Sequence, residues 1–134
     1  MAVSFPFETR HSSVFKIVSR PIAVVSFWSK VISDWTRITM VVDTGADYTI
    51  LPRNEAINLG IDLLKDCVRF QTYGVGGKET VYLRRSWKVK LGNIELSVPI
   101  GFLDTDDIPP LLGRQDFLEK LDIRLFRHTT SFSK

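Results

Sequence analysis

The stretch VYLRRSWKVKLGNIELSVPIGF, residues 81 to 102, restricts the possible folds more than any other, because its apolar residues recur at every second position. A helix would scatter that spacing around its circumference, whereas a strand sends alternate side chains to opposite faces. Val81, Leu83, Trp87, Val89 and Leu91 fall on one face, and Tyr82, Arg84, Ser86, Lys88 and Lys90 on the other. Gly92 and Asn93 then supply a two-residue turn of the Gly-first type, after which Ile94, Leu96, Val98, Ile100 and Phe102 resume the apolar face. The spacing predicts an antiparallel hairpin with one side in a core.

The same reasoning predicts a second hairpin. IAVVSFWS (22–29) and TRITMVV (36–42) are rich in β-branched and aromatic residues, with the polar KVISD between them. In the second run Ile38, Met40 and Val42 share one face, and Arg37 and Thr39 the other. Helical patterning is confined to two short pieces. LPRNEAINLG, with Pro52 at its start and Gly60 at its stop, predicts about two turns. RQDFLEKL spaces Phe117, Leu118 and Leu121 along one face, ahead of IRLF, which reads as a closing strand. Residues 1–20 read as an arm or edge strand. The sum is an all-β fold, mainly β with two short helices, and 134 residues fit one domain with no repeat or linker to divide it.

Composition removes several function classes. The longest near-continuous apolar run, IAVVSFW, is far short of the roughly 20 residues a membrane span needs, and MAVSFPFETR has no signal-peptide character, so a cytoplasmic location and no membrane association are expected. Cys67 is the one cysteine, which excludes an internal disulfide; within the apolar CVRF it reads as a small buried hydrophobe. The net charge of +3 includes a cluster at Arg84, Arg85, Lys88 and Lys90, yet no helix-turn-helix, zinc or RNA-binding signature accompanies it. No nucleic-acid partner is expected, although a basic β-domain binding nucleic acid stands as a rival reading. His11 and His128 are lone and far apart, with no ligands at metal spacing and no triad.

One stretch points to chemistry. MVVDTGADYTILP, residues 40 to 52, carries Asp43 to the end of an apolar run and follows it with Thr44 and Gly45. Taken alone, the triplet is consistent with an Asx-type turn, in which Gly permits positive φ and the Thr hydroxyl satisfies nearby backbone groups. Two further elements follow in order: the Gly-rich TYGVGGKE between strand-like runs, and PPLLGR ahead of the second helix. Together these resemble the retropepsins, the single-domain aspartic proteases of retroviruses and their stand-alone cellular and prokaryotic relatives, over roughly Ile22 to Phe126.

The resemblance implies a closed, barrel-like β fold with one lobe per chain, a protease domain over 21–126, and a C-terminal tail, 127–134, in possible dimer contact. It implies an aspartic endopeptidase using no cofactor beyond water. Two carboxylates about 3 Å apart cannot both ionise and so share a proton, as aspartic-protease dyads are known to do. The chain has one such triplet, so the dyad requires a homodimer in which Asp43 meets its own copy. Thr44 would bond across the axis, and Gly45, Asp47 and Tyr48 would hold the substrate backbone. Asp47 and Arg114 match a structural ion pair, expected to be partly buried and to lose about 3 to 5 kcal/mol when one partner is removed; as separate surface charges they would matter little. Tyr73 to Gly77 would form the flap, with Gly74, Val75, Gly76 and Gly77 at its tip. Ile108, Pro109 and Leu111 match subsite walls, implying bulky apolar side chains flanking the cut. The chain departs from many retroviral members at Gln115, and its long N-terminal arm and C-terminal tail occupy the places of their interleaving termini. A domain of the same fold that binds peptides or assembles without turnover is the nearer rival.

Overall fold

The computed structural model describes residues 2–74 and 76–134. In chain order its strands begin with β1 (Val3–Pro6), β2 (Glu8–Ser12), β3 (Lys16–Arg20), β4 (Ile22–Ser29), β5 (Asp34–Val42) and β6 (Thr49–Pro52). The α-helix α1 (Asn54–Leu59) precedes β7 (Val68–Gly74), β8 (Gly77–Leu91), β9 (Ile94–Leu103) and the two-residue β10 (Leu111–Leu112). A 3₁₀ turn (Leu118–Lys120), β11 (Asp122–Phe126) and β12 (Thr129–Ser133) complete the chain.

Seven strands form one sheet in the order β4-β5-β10-β6-β9-β8-β7, and β4 also pairs with β8 at Ser26 and Phe27. That second pairing closes the sheet on itself, so no edge is left along the ring and β7 stands outside it as half of a projecting hairpin. Inside lie alternate residues of β4 (Ala23, Val25, Phe27) and β5 (Ile38, Met40, Val42), packed on Leu51, Ile100, Phe102, Leu112 and Phe117. Each large apolar side chain fully removed from water contributes roughly 1.5 to 3 kcal/mol. The buried Trp87 satisfies its indole N–H on the Trp28 carbonyl at 2.8 Å.

β5 and β6 are consecutive and antiparallel in sense, yet they do not pair. β10 lies between them, parallel to β5 and antiparallel to β6. Outside the barrel, β1, β12 and β11 form a three-stranded sheet with β12 in the centre, and β2 and β3 form a separate two-stranded hairpin. Residues 1–20 therefore contain three strands, and the segment after Phe126 returns as a paired strand.

Both predicted hairpins form. Gly92 takes φ +59, as a Gly-first turn requires. Gly60 ends α1 in the left-handed region at φ +77, but Pro52 ends β6 and does not open the helix. Two other expectations are corrected. The second helix is only a 3₁₀ turn, because Asp116, two residues before it, adopts φ +56 and breaks helical continuity, while Phe117 and Leu118 are still buried. The single apolar face predicted for β8 is split in two. Arg84 pairs with Ile100 but Trp87 pairs with Val98, so Arg85 and Ser86 together oppose Pro99. Proline has no amide to donate to the ladder, and the bulge takes up the break. Trp87, Val89 and Leu91 consequently face the barrel core with Val98, whereas Val81 and Leu83 turn to the opposite side with Leu103 and Gly101.

The Gly113 backbone runs so close to β6 that an added methyl would fall on the Tyr48 carbonyl and within 2.8 Å of the Thr49 nitrogen. Gly113→Ala is expected to lower stability by about 3 kcal/mol, the upper part of the overpacking range. Gly74→Ala, with nothing near its Cβ, is expected to be neutral or slightly stabilising. Denaturant midpoints of the two variants measure the contrast.

Candidate active site

β5 delivers Asp43 to the open end of the barrel. Its amide donates to the Leu112 carbonyl at 3.0 Å, its carbonyl accepts from Ala46 at 3.1 Å, and its Oδ1 accepts from the Gly45 amide at 3.0 Å. The loop is thus an Asx-type turn anchored on the inserted strand, with Asp43 as a residue half-buried. Gly45 is not in the left-handed region, contrary to the expected reason for it. A Cβ there would lie 3.3 Å from Asp43 Oδ1, so the glycine serves to leave the carboxylate room. Thr44 is exposed, and the loop's own hydrogen bonds run through backbone and the Asp43 carboxylate.

The far side of the loop is stitched to the Gly-Arg segment. Arg114 N donates to Ala46 O at 3.0 Å and Gln115 N to Asp47 O at 2.8 Å, while the buried Thr49 hydroxyl accepts from Gly113 N at 3.2 Å. Arg114 Nη2 lies 2.5 Å from Asp47 Oδ1. The two side chains meet, but they are 50% and 80% exposed within the chain, so the partial burial expected of the pair is absent. An exposed pair contributes little. Asp47→Asn and Arg114→Ala, singly and combined, are expected to give a coupling of about 0.2 to 1 kcal/mol in place of 3 to 5; denaturant unfolding of the four proteins measures it.

The triplet loop and the β7–β8 hairpin border a common cleft of about 410 Å³. Gly45, Asp47, Tyr48 and Ile50 line it from the loop and β6, Thr72, Tyr73, Gly74 and Glu79 from the hairpin, and Val81 and Leu103 add apolar surface. Gly74 pairs with Gly77, which takes φ +101, and both are exposed at the hairpin end with Gly76. Val75 lies outside the described residues. Of the residues that the sequence marks, Gly45, Asp47, Tyr48, Tyr73 and Gly74 border this cleft and Asp43 and Thr44 adjoin it through Gly45. Ile108, Pro109 and Leu111 do not border it; Leu111 pairs with Val41 and Ile50. Ile50, Thr72, Glu79, Val81 and Leu103 were not singled out. Leu103 and Val81 are cross-strand partners, but only the bulge turns that pair to the cleft.

The Tyr48 ring lies against Gly101, where a Cβ would meet Tyr48 Cδ2 at 3.1 Å, and separates the cleft from a smaller pocket of about 260 Å³ bordered by Leu83, Arg85, Pro99 and Gln115. Burial, then the charges of Asp47 and Glu79, hold the phenol above its ordinary 10.0. The unfolded chain therefore surrenders this proton at lower pH than the folded one. The resulting contribution to stability is intact below pH 10.0 and is lost as pH climbs beyond it. Tyr48→Phe is expected to flatten the alkaline decline of the thermal midpoint. Burial likewise pushes the Cys67 thiol up, with Arg84 opposing. Among the described residues no His, Cys, Asp and Glu group is arranged to hold a metal ion.

The family described as "gag-polyprotein putative aspartyl protease" matches residues 31–120, a span that contains the triplet loop, the β7–β8 hairpin and the Gly-Arg segment. In structure the chain is similar to a retropepsin-like aspartic protease from Rickettsia conorii, with a TM-score of 0.69 at 19% identity over 98% of each chain. It is also similar to EIAV protease complexed with the inhibitor HBY-793, with a TM-score of 0.52 at 21% identity over 71% of this chain and 82% of that one. Comparison with curated protein sequences found no match. The structural likeness at these identities establishes the fold, and the sequence match carries the rest: the chain belongs to the retropepsin-like aspartyl protease family.

Proposed function

We propose that the protein is an aspartic endopeptidase, active as a two-fold homodimer in which Asp43 and its symmetry copy form the catalytic dyad. The observation that carries this reading is the placement of Asp43: one half-buried residue, held by backbone at the open end of the barrel beside a peptide-sized cleft. The chain supplies one Asp-Thr-Gly triplet, and an isologous contact is the way for one triplet to become two. One carboxylate then removes a proton from a water as it attacks the scissile carbonyl carbon, and the other donates a proton to the carbonyl oxygen. In this reading Thr44, exposed in the single chain, bonds to the partner's triplet, and residues 73–77 close as a flap over bound peptide. Asp47 and Tyr48 hold the substrate backbone. The apolar wall of Ile50, Val81 and Leu103 favours apolar side chains flanking the cut. Ile108, Pro109 and Leu111 are assigned to walls that only the dimer completes.

The nucleic-acid reading draws less support. Arg84 lies over the Trp87 ring, Lys88 over Trp28 and Lys90 over Trp35, at 5.3, 5.8 and 5.6 Å, so these cations already cover the indoles on which bases would stack.

Asp43→Asn is expected to reduce peptide turnover by about 10³-fold or more while leaving the circular dichroism spectrum unchanged. The wild-type rate against pH should be bell-shaped, since a dyad sharing one proton fails when it gains or loses another. Cleavage of a mixed peptide library, followed by mass spectrometry, measures both. Undiminished turnover by the Asn variant would reject the assignment, and peptide binding without turnover in the wild type would favour the assembly-domain rival.

A further inference from the structure

The β2–β3 hairpin is not used by the site. Among the described residues its two strands pair only with each other, from Glu8 opposite Arg20 to Ser12 opposite Lys16. At the tip the Ser12 hydroxyl accepts the amides of Val14 and Phe15 at 3.2 and 3.1 Å, and Lys16 takes φ +65. This tight tip leaves Val14, Phe15 and Ile17 exposed at 75%, 74% and 58%. A two-stranded hairpin is marginally stable in water on its own, and three neighbouring apolar side chains at its end favour a surface that covers them.

The root of the hairpin indicates which surface. β3 ends at Arg20, the next carbonyl, Pro21 O, accepts from Val42 N at 2.9 Å, and Asp43 is the following residue. On the other side Phe7 N donates to His128 O at 2.8 Å, tying the incoming strand to the β11–β12 turn. The hairpin therefore leaves the body directly beside the triplet, at the end where a second copy must approach if two Asp43 carboxylates are to meet.

We propose that the Val14, Phe15 and Ile17 tip docks on a second copy of this chain, so that each protomer clasps the other with its β2–β3 hairpin. This rests on the dimeric reading of the site. By two-fold symmetry the clasp is made twice, and it doubles the apolar area available to hold the dyad together. A few well-packed side chains carry most of the association free energy at such a contact, and aromatic residues such as Phe15 are enriched among interface-core residues.

Sedimentation equilibrium of the full chain over a concentration series, with and without the triple change Val14→Ser, Phe15→Ser and Ile17→Ser, tests the proposal. The single change Phe15→Glu, at an exposed position, serves as a second variant should the triple one lose its fold by circular dichroism. The wild type is expected to dimerise reversibly, and either variant to raise the dimer dissociation constant by at least about tenfold. Variant peptidase activity per molecule should fall on dilution and approach the wild-type value at high concentration. A variant that dimerises like the wild type, or a wild type that stays monomeric, overturns the proposal. Loss of binding to phosphatidylglycerol vesicles with dimerisation unchanged also overturns it, in favour of a membrane-dipping tip. If dimerisation depends on the tip but no peptide is cleaved, the clasp stands and the proposed enzymatic function fails.

Discussion

Leu111 and Leu112 occupy a gap that β5 and β6 could have closed by pairing with each other, and the site depends on that substitution. With the inserted strand in place, the backbone groups on both sides of the triplet loop find partners: Val41 and Asp43 on the residues at and before β10, Ala46 and Asp47 on those just after it. A loop that would otherwise be an ordinary reversal is thus gripped from within the barrel wall. The grip is made of main chain, which explains why Gly113 is needed where the two backbones approach and why the Asp47 and Arg114 side chains can meet in solvent without having to hold the structure. It also comes from residues distant in sequence, so it can form only once the barrel has nearly closed.

Rigidity at the triplet contrasts with the opposite wall of the cleft. The β7–β8 hairpin is anchored at its base, where Val81 pairs with Leu103, and is exposed at its end, where a Cβ added to Gly74, Gly76 or Gly77 would have open space around it. The proposed endopeptidase would need both properties, a carboxylate held in position and a neighbouring hairpin free to move over a bulky substrate.

Much of this was legible in the residues themselves. The β4–β5 and β8–β9 hairpins follow from period-two alternation, and the triplet gained its meaning from the Gly-rich and Leu-Leu-Gly-Arg elements that follow in order. What could not be read has local causes. β10 is two residues long, too short to carry a period. Phe117, Leu118 and Leu121 have helical spacing, but the left-handed Asp116 prevents the helix while leaving Phe117 and Leu118 buried. β2 and β3 face no core and so show no alternation. The exposure of the Asp47 and Arg114 pair is a property of where two loops meet, which pair identity alone does not contain.

The bulge opposite Pro99 gives β9 an unusual position. From Val98 to Leu103 every residue is buried, because one side of the strand faces the barrel and the other faces the cleft. Chain length at Arg85 and Ser86 therefore acts as a phase setting for the hairpin above it. Removing one residue there would rotate every side chain between the bulge and the hairpin end by half a turn, exchanging Val81 in the cleft and Leu83 in the smaller pocket for Tyr82 and Arg84. In a lineage of such proteins, a single-codon insertion or deletion at this point would reshape what the cleft accepts and draw Tyr82 away from the core it packs on, while leaving the triplet loop in place.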